Sequence, residues 1–196
     1  MRARVPPAEF HALDLEVHAI LRDVPLRDVT VVDLPDGGDG RTISDVLALM
    51  GIGGDRRPTN PIVRGLFSLR GWLGRVLGWD DDRHRHPEAS YLARVSGELQ
   101  RRSVRTPGAM AGAFRTLYVL EREALLEARN RTVHAFLASA LAPAARGYRL
   151  YLAVYVKPVS RLTPFYMALI EPFRRFVVYP DLVRRTRRAW DARYGR

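Results

Sequence analysis

Residues 148–157 read YRLYLAVYVK and end a run of strand-like segments that begins at Phe114. The four segments are Phe114–Glu121, Ala124–Arg129, Thr132–Leu141 and Tyr148–Lys157. Aromatic, β-branched and other apolar residues dominate them, and short breaker sequences separate them, which is typical of β-strands. A parallel return needs a crossover of about a dozen residues, so connections this short predict an antiparallel meander.

The turns between these segments predict which residues lie opposite each other, because a tight loop fixes the register. The turns are Arg122-Glu123, Asn130-Arg131 and Ala144–Gly147. We expect Tyr118 to pair with Glu127 and Glu127 with His134. His134 should in turn lie opposite Lys157. These four side chains would form a polar row on one face of the sheet.

That polar face has two interpretations. Beside the row lie Leu120, Leu125, Phe136 and Tyr155. The face could be half-solvated, with cross-strand charge pairs that contribute a few tenths to about 1 kcal/mol each. It could instead line a pocket in which an acid, a base and a phenol converge on a ligand. Antiparallel sheets usually keep one face in water, which favours the solvated interpretation.

The opposite face is predicted to be apolar and to need a cover. It carries Leu117, Val119, Leu126, Ala128, Val133, Ala135, Leu137, Leu152, Val154 and Val156. Thr163 and Pro164 suit the N-cap and first position of a helix. The apolar residues after them recur at helical spacing: Phe165, Tyr166, Leu169, Ile170, Phe173, Phe176 and Val177. We expect this helix to lie on the apolar face, with a shorter helix from Leu182 to Trp190 after it.

Length and composition limit the classes of protein to which the chain can belong. The chain has 196 residues, which predicts a single domain, 1–196, and it has no cysteine for disulfides or thiolate chemistry. No apolar run is long enough to span a membrane, and the first residues lack the apolar core of a signal peptide, so a cytoplasmic location is expected.

The net charge of +11 is concentrated towards the end of the chain. Between Pro172 and Arg196, eight arginines stand against Asp181 and Asp191, a net +6. This Arg-rich tail could bind an anionic membrane surface or nucleic acid. It could also be the solvated face of a C-terminal helix, which we favour because no nucleic-acid-binding motif accompanies it. A nucleic-acid partner is therefore not expected.

The first half of the chain predicts short elements and no cofactor site. They are a strand over Val29–Leu34, a helix over Asp45–Met50 capped by Thr42 or Ser44, an amphipathic helix over Ile62–Leu77, a strand over Ser90–Val95 and a helix over Ser96–Arg102. The glycine-rich turn Asp36–Gly40 lacks the spacing of a phosphate loop. The two histidines and three aspartates of Asp80–His86 could ligate a metal, but a solvated loop is favoured. Neither a metal nor a cofactor is expected.

The order of elements predicts the α+β class with a helix-grip arrangement, in which a curved antiparallel sheet wraps a long C-terminal helix. Several blocks carry a family resemblance: Glu123–Val133, His134–Phe136, Tyr148–Arg161, Leu162–Pro180, Arg41–Asp45 and Leu77–Asp80. On these blocks the chain resembles a bacterial family known as domain of unknown function 2867. Its element order is similar to that of the START-like (Bet v 1-like, polyketide-cyclase) superfamily.

The resemblance implies a hydrophobic or amphipathic small molecule as partner, bound in a cavity between the sheet and the C-terminal helix. The small residues Ala128 and Ala135 would leave room for such a cavity. We expect the ligand to meet Tyr118, Glu127, His134, Tyr155, Phe165 and Leu169. Some START-like proteins are cyclases, dehydratases or hydrolases, but the resemblance supplies no catalytic residues. Two alternatives remain: an enzyme that uses Glu127 and His134 as an acid–base pair oriented by Tyr118, and a surface-docking protein that uses the Arg-rich tail.

Overall fold

A computed structural model describes residues 4–52, 89–111, 114–129, 133–159, 168, 171–172 and 174–195. The helices are α1 Pro7–His11, α2 Val17–Ile20, α3 Ile43–Leu49, α4 Gly97–Arg102 and α5 Tyr179–Tyr194, with a 3-10 turn at Tyr91–Arg94 and a π-helical turn at Arg174–Val178. The strands are β1 Leu26–Leu34, β2 Met110–Ala111, β3 Phe114–Val119, β4 Glu123–Arg129, β5 Val133–Ala144 and β6 Gly147–Pro158.

The strands form one antiparallel sheet in the order β1-β6-β5-β4-β3-β2. The predicted meander is therefore confirmed, and the α+β class with it. The first strand, β1, pairs with the last strand, β6, and not with its neighbour in sequence. The N-terminal segment is thereby fastened beside the longest hairpin, β5–β6.

The register is confirmed in one hairpin and wrong in two. His134 lies opposite Lys157, as predicted. Tyr118, however, lies opposite Leu125, and Glu127 lies opposite Phe136. Both errors are shifts of two residues, and because strand side chains alternate with a period of two, Tyr118, Glu127 and His134 keep their predicted face.

Helices and turns cover both faces of the sheet. Five consecutive residues of β4, from Glu123 to Glu127, are buried, which requires packing on both sides. One face is covered by what we call the N-terminal layer, which comprises α1, α2, the 3-10 turn and α4. Its buried members pack on the sheet: Phe10, Val17, Ile20, Tyr91, Val95 and Leu99 meet Leu117, Tyr118, Leu125, Phe136 and Tyr155. The prediction of a half-solvated outer face is therefore wrong.

The helix-side layer, formed by α3 and α5, covers the other face. Val46, Leu47, Val183 and Trp190 pack there on Val32, Leu34, Val119, Leu150 and Leu152. Thr42 and Asp45 form a capping box that starts α3. Trp190 is fully buried, and its Nε1–H donates a hydrogen bond of 2.8 Å to the carbonyl of Pro35. This contact fixes α5 against the end of β1.

Three local predictions are corrected by the structure. Ser90–Val95 is not a strand, because Ser90 caps the 3-10 turn Tyr91–Arg94. Leu117 packs in the N-terminal layer and not on the helix side, because a bulge between Thr116 and Tyr118 shifts the register of β3. Phe176 does not lie on the sheet, since it is 70% exposed.

Several predictions fall outside the described residues. They are the helix over Ile62–Leu77, the metal alternative at Asp80–His86, and Phe165 and Leu169 of the expected site. The helix expected over Leu182–Trp190 is confirmed and is longer, since α5 runs from Tyr179 to Tyr194.

Trp190→Ala should destabilise the protein by about 3–5 kcal/mol, because it leaves a cavity under α5 and an unpaired carbonyl at Pro35. Urea unfolding followed by circular dichroism measures the effect. Val104→Ala is the matched control, because Val104 is 67% exposed and should change stability by less than about 0.5 kcal/mol. Equal stabilities of the two variants would contradict the packing described for Trp190.

Candidate functional site

Four of the six predicted site residues lie together on one face of the sheet. Tyr118, Glu127, His134 and Tyr155 are each no more than 2% exposed and point into the N-terminal layer. The C-terminal helix α5 packs on the opposite face. These four residues therefore do not line the space between the sheet and α5.

Glu127 is the centre of a buried polar cluster. Its carboxylate accepts hydrogen bonds from the Ser90 hydroxyl at 2.6 Å, the backbone N–H of Tyr91 at 2.9 Å and His134 Nε2 at 2.8 Å. Arg129 Nε lies 3.6 Å from the same carboxylate. The bonds from Ser90 and Tyr91 tie the 3-10 turn to the centre of the sheet.

The hydrogen bonds decide the charge state of Glu127. Burial acts to raise the pKa of Glu127, but the hydrogen bonds from His134, Ser90 and the Tyr91 N–H outweigh it and hold the pKa below its usual value. The Tyr91 ring closes over His134, with ring centroids 5.1 Å apart. The acid and the base are therefore paired as an enzyme would need them, but they are sealed beneath the 3-10 turn.

Tyr118 is hydrogen-bonded to a second buried carboxylate, Glu123, and not to the predicted partner Glu127. The Tyr118 hydroxyl donates to Glu123, which also accepts the backbone N–H groups of Glu16 at 3.0 Å and Val17 at 2.9 Å. Burial is the main cause of the raised pKa of Glu123. Burial, with the nearby charge of Glu123, also raises the pKa of Tyr155 to about 12.

The residue pattern predicts a turn at Glu123, so it gives no indication that Glu123 is part of a buried site. The turn is closed by a hydrogen bond from the Leu120 N–H to the Glu123 carbonyl, so Glu123 is the first residue of β4. Its spacing of four from Glu127 is the available signal, since residues an even number apart in a strand share a face.

On the other face, apolar side chains form what we call the helix-side strip: Leu126, Ala128, Ala135, Leu137, Val154 and Val156. Cross-strand pairing makes the strip continuous, because Ala128, Ala135 and Val156 form one row and Leu126, Leu137 and Val154 form the next. Leu126 and Val156 are buried, whereas Ala128, Ala135, Leu137 and Val154 are only half-buried. All six lie on the central strands β4, β5 and β6.

Polar groups lie next to this strip in the same layer. Ser139 follows Leu137 on the same face of β5, and Thr186 is buried on α5. Within the described part of the chain, neither hydroxyl has a hydrogen-bond partner. Asp28 of β1 lies opposite Val154 and accepts a hydrogen bond of 2.7 Å from the Tyr179 hydroxyl.

The surface depressions among the described residues have a different chemistry. One is lined by the glycine-rich turn Asp36–Gly40 and by the β5–β6 turn, and the other by Asp14–Glu16, Arg102 and Leu120–Glu123. Both are polar and open to solvent, so neither suits an apolar ligand. Among the residues whose placement is described, no cluster of three or more His, Cys, Asp or Glu could hold a metal ion.

A family model described as a protein of unknown function, DUF2867, matches residues 20–181. The chain belongs to the DUF2867 family. The match spans all six strands, both buried carboxylates and the helix-side strip, and it ends at Asp181, so most of α5 lies beyond it. No curated protein and no solved structure matches the chain.

The cluster around Glu127 predicts a specific loss of stability in acid. A lowered pKa means that Glu127 contributes stability above its ordinary pKa of 4.5 and loses that contribution as the pH falls through the lower folded pKa. Glu127→Gln should cost about 1.5–3 kcal/mol at neutral pH and should reduce the acid-dependent loss below pH 4.5. Urea unfolding across that pH range measures both effects.

Glu123→Gln is the matched comparison, because it removes a buried carboxylate from the same strand. The pKa of Glu123 is shifted upwards, so its contribution has the opposite pH dependence and the acid-dependent loss should persist in this variant. An acid profile of Glu127→Gln identical to that of the unmodified protein would contradict the role given to Glu127.

Proposed function

We propose that this DUF2867 protein binds a hydrophobic or amphipathic small molecule between the sheet and the C-terminal helix, on the helix-side strip. The observation that carries the proposal is the partial exposure of Ala128, Ala135, Leu137 and Val154 in the middle of the sheet. The same strands are fully buried where α3 and α5 pack on them, as at Leu150 and Leu152. A bound apolar molecule would remove the remaining exposed area of the strip from water.

The energetic argument is the ordinary hydrophobic effect. Each Å² of apolar surface removed from water contributes about 25 cal/mol. Small side chains in the strip, Ala128 and Ala135, allow a ligand to approach the backbone of β4 and β5. Ligand sites typically combine such an apolar wall with a few placed polar groups. Ser139 and Thr186 supply hydroxyls in the same layer, which supports an amphipathic ligand with an oxygen or nitrogen function.

The connectivity supports a START-like helix grip. The first strand lies beside the last, the four remaining strands follow in order, and a long helix ends the described chain. In START-like proteins the space between the sheet and the last helix is the ligand cavity, and the helix-side strip lies on the face of the sheet on which α5 packs.

A cytoplasmic location also remains a prediction. The described residues include no helix long and apolar enough to cross a membrane.

An enzyme that uses Glu127 and His134 is the second candidate. The 2.8 Å contact between the carboxylate and His134 Nε2 favours it. A substrate would reach His134 only after the 3-10 turn had left the sheet, because His134 is 1% exposed and covered by Tyr91. Catalysis by this pair would therefore need the loss of the two hydrogen bonds that Ser90 and Tyr91 donate to Glu127, which makes ligand binding the better-supported function.

Ala128→Phe tests the proposed site by filling the strip with a bulky side chain. Titration with the neutral apolar fluorophore phenylnaphthylamine should give saturable binding to the unmodified protein and at least about ten-fold weaker binding to Ala128→Phe. Ala145→Phe is the matched control, because it adds the same ring at an exposed position in the β5–β6 turn. Equal binding by all three proteins would contradict the proposed site.

Native mass spectrometry of gently purified protein identifies the natural ligand class. A co-purified lipid, polyketide or isoprenoid mass in the unmodified protein, absent from Ala128→Phe, is the expected result. A ligand mass that persists in Ala128→Phe would place the binding site elsewhere.

A further inference from the structure

The outer surface at the start of α5 combines arginines with an exposed aromatic ring. Phe176, in the π-helical turn, is 70% exposed, and the Arg175 guanidinium lies 5.5 Å from the centre of its ring. Arg184 and Arg188 are exposed on the following turns of α5 and lie on one face, because they are four residues apart. We call Arg175, Phe176, Arg184 and Arg188 the basic-aromatic surface.

Acidic neighbours neutralise this surface only in part. Asp181 pairs with Arg185 at 2.8 Å and lies 3.9 Å from Arg184. For Arg188 the described part of the chain shows no ion pair. From Arg174 to Tyr194, seven arginines stand against Asp181 and Asp191, which leaves a net charge of +5. The segment that carries the basic-aromatic surface is therefore strongly cationic.

The inner face of α5 fixes the orientation of this surface. Val183, Thr186 and Trp190 are buried on the sheet side of the helix, and Trp190 is bonded to Pro35. The arginines therefore cannot turn inward without loss of the helix-side layer. Exposure of an apolar phenyl ring to water is energetically unfavourable, and no described residue removes Phe176 from solvent.

We propose that the basic-aromatic surface docks this protein on anionic lipid membranes. Interfacial segments typically place aromatic or aliphatic side chains at the acyl boundary and cations among the headgroups. Phe176 supplies the apolar contact, and Arg175, Arg184 and Arg188 supply the charge that attracts anionic lipid headgroups. The outer face of a single helix is convex and exposed, which suits a flat membrane surface.

A nucleic acid shares the negative charge but fits the surface less well. Single-stranded nucleic acids are usually held in a groove where several aromatic side chains stack on successive bases. Among its described residues, the basic-aromatic surface has one exposed ring, Phe176, next to a convex helix. Membrane docking is independent of the ligand proposed for the helix-side strip, because the two surfaces share no residue.

Co-sedimentation with vesicles tests the proposal on the full chain. The protein should sediment with phosphatidylcholine vesicles that contain phosphatidylserine, and not with phosphatidylcholine alone. Binding should weaken as salt is added, because salt screens the arginines. Phe176→Ala should weaken binding by about ten-fold. Arg184→Gln and Arg188→Gln should each weaken it by about five-fold.

Matched controls come from exposed residues elsewhere on the chain. Val104→Ala shortens an exposed apolar side chain near β3, towards the edge of the sheet opposite β1, and Arg146→Gln removes an arginine that is 85% exposed in the β5–β6 turn. Val104→Ala should leave the vesicle affinity unchanged. Arg146→Gln should weaken it only as far as the loss of one net charge does. Circular dichroism should show unchanged folding for every variant, because all of these positions are at the surface.

Three results would overturn the proposal. The first is no sedimentation with the anionic vesicles. The second is equal weakening by Phe176→Ala and by the control Val104→Ala. The third is tighter binding to single-stranded DNA than to vesicles with no effect of Phe176→Ala, which would identify a nucleic-acid partner instead.

Discussion

The pairing of β1 with β6 is the constraint on which the other layers depend. This pairing joins residues more than a hundred positions apart and places the N-terminal segment beside the β5–β6 hairpin. Once β1 is in place, α1 and α2 are carried to one face of the sheet and α3 to the other. The end of β1 also holds α5, through the bond between Trp190 and Pro35. Both faces of the sheet are therefore covered because β1 pairs with a strand that is distant in the sequence.

The two faces differ in how completely their apolar side chains are covered. Both contain buried polar atoms with no hydrogen-bond partner among the described residues, such as the Tyr155 hydroxyl in the N-terminal layer and the Ser139 hydroxyl on the helix side. In the N-terminal layer, Glu123 and Glu127 each accept two hydrogen bonds from the segments that cover them and one from a neighbouring strand of the sheet. Such carboxylates fasten α2 and the 3-10 turn to the sheet. On the helix side, Ser139 and Thr186 have no partner within the described residues, and the nearby apolar residues stay half-exposed. Only on the helix side do such hydroxyls lie beside partly exposed apolar surface in the centre of the sheet, and that combination supports the proposed ligand site.

The sequence predicts the positions of β3 to β6 from composition and breaker residues. It predicts their faces from the period of two, which a register error of two residues does not change, and Leu117 beside the β3 bulge is the exception. It predicts the contents of the site poorly. Tyr118 is bonded to Glu123 because of a bulge in β3 and a turn that ends one residue earlier than its composition suggests. The burial of His134 depends on Tyr91, which comes from a segment that looked like a strand. Contacts between distant segments carry no local signal, so no periodicity could have revealed them.

In the function that we propose, the ligand binds the helix-side face of the sheet and not the N-terminal face. Alanine methyl NMR tests it most directly, because β5 carries Ala135 on the helix side and Ala138 and Ala140 on the N-terminal side. Titration with phenylnaphthylamine should shift the methyl signals of Ala128 and Ala135 and leave those of Ala138 and Ala140 in place. Shifts confined to Ala138 and Ala140 would contradict the claim and would place the binding site beneath the N-terminal layer.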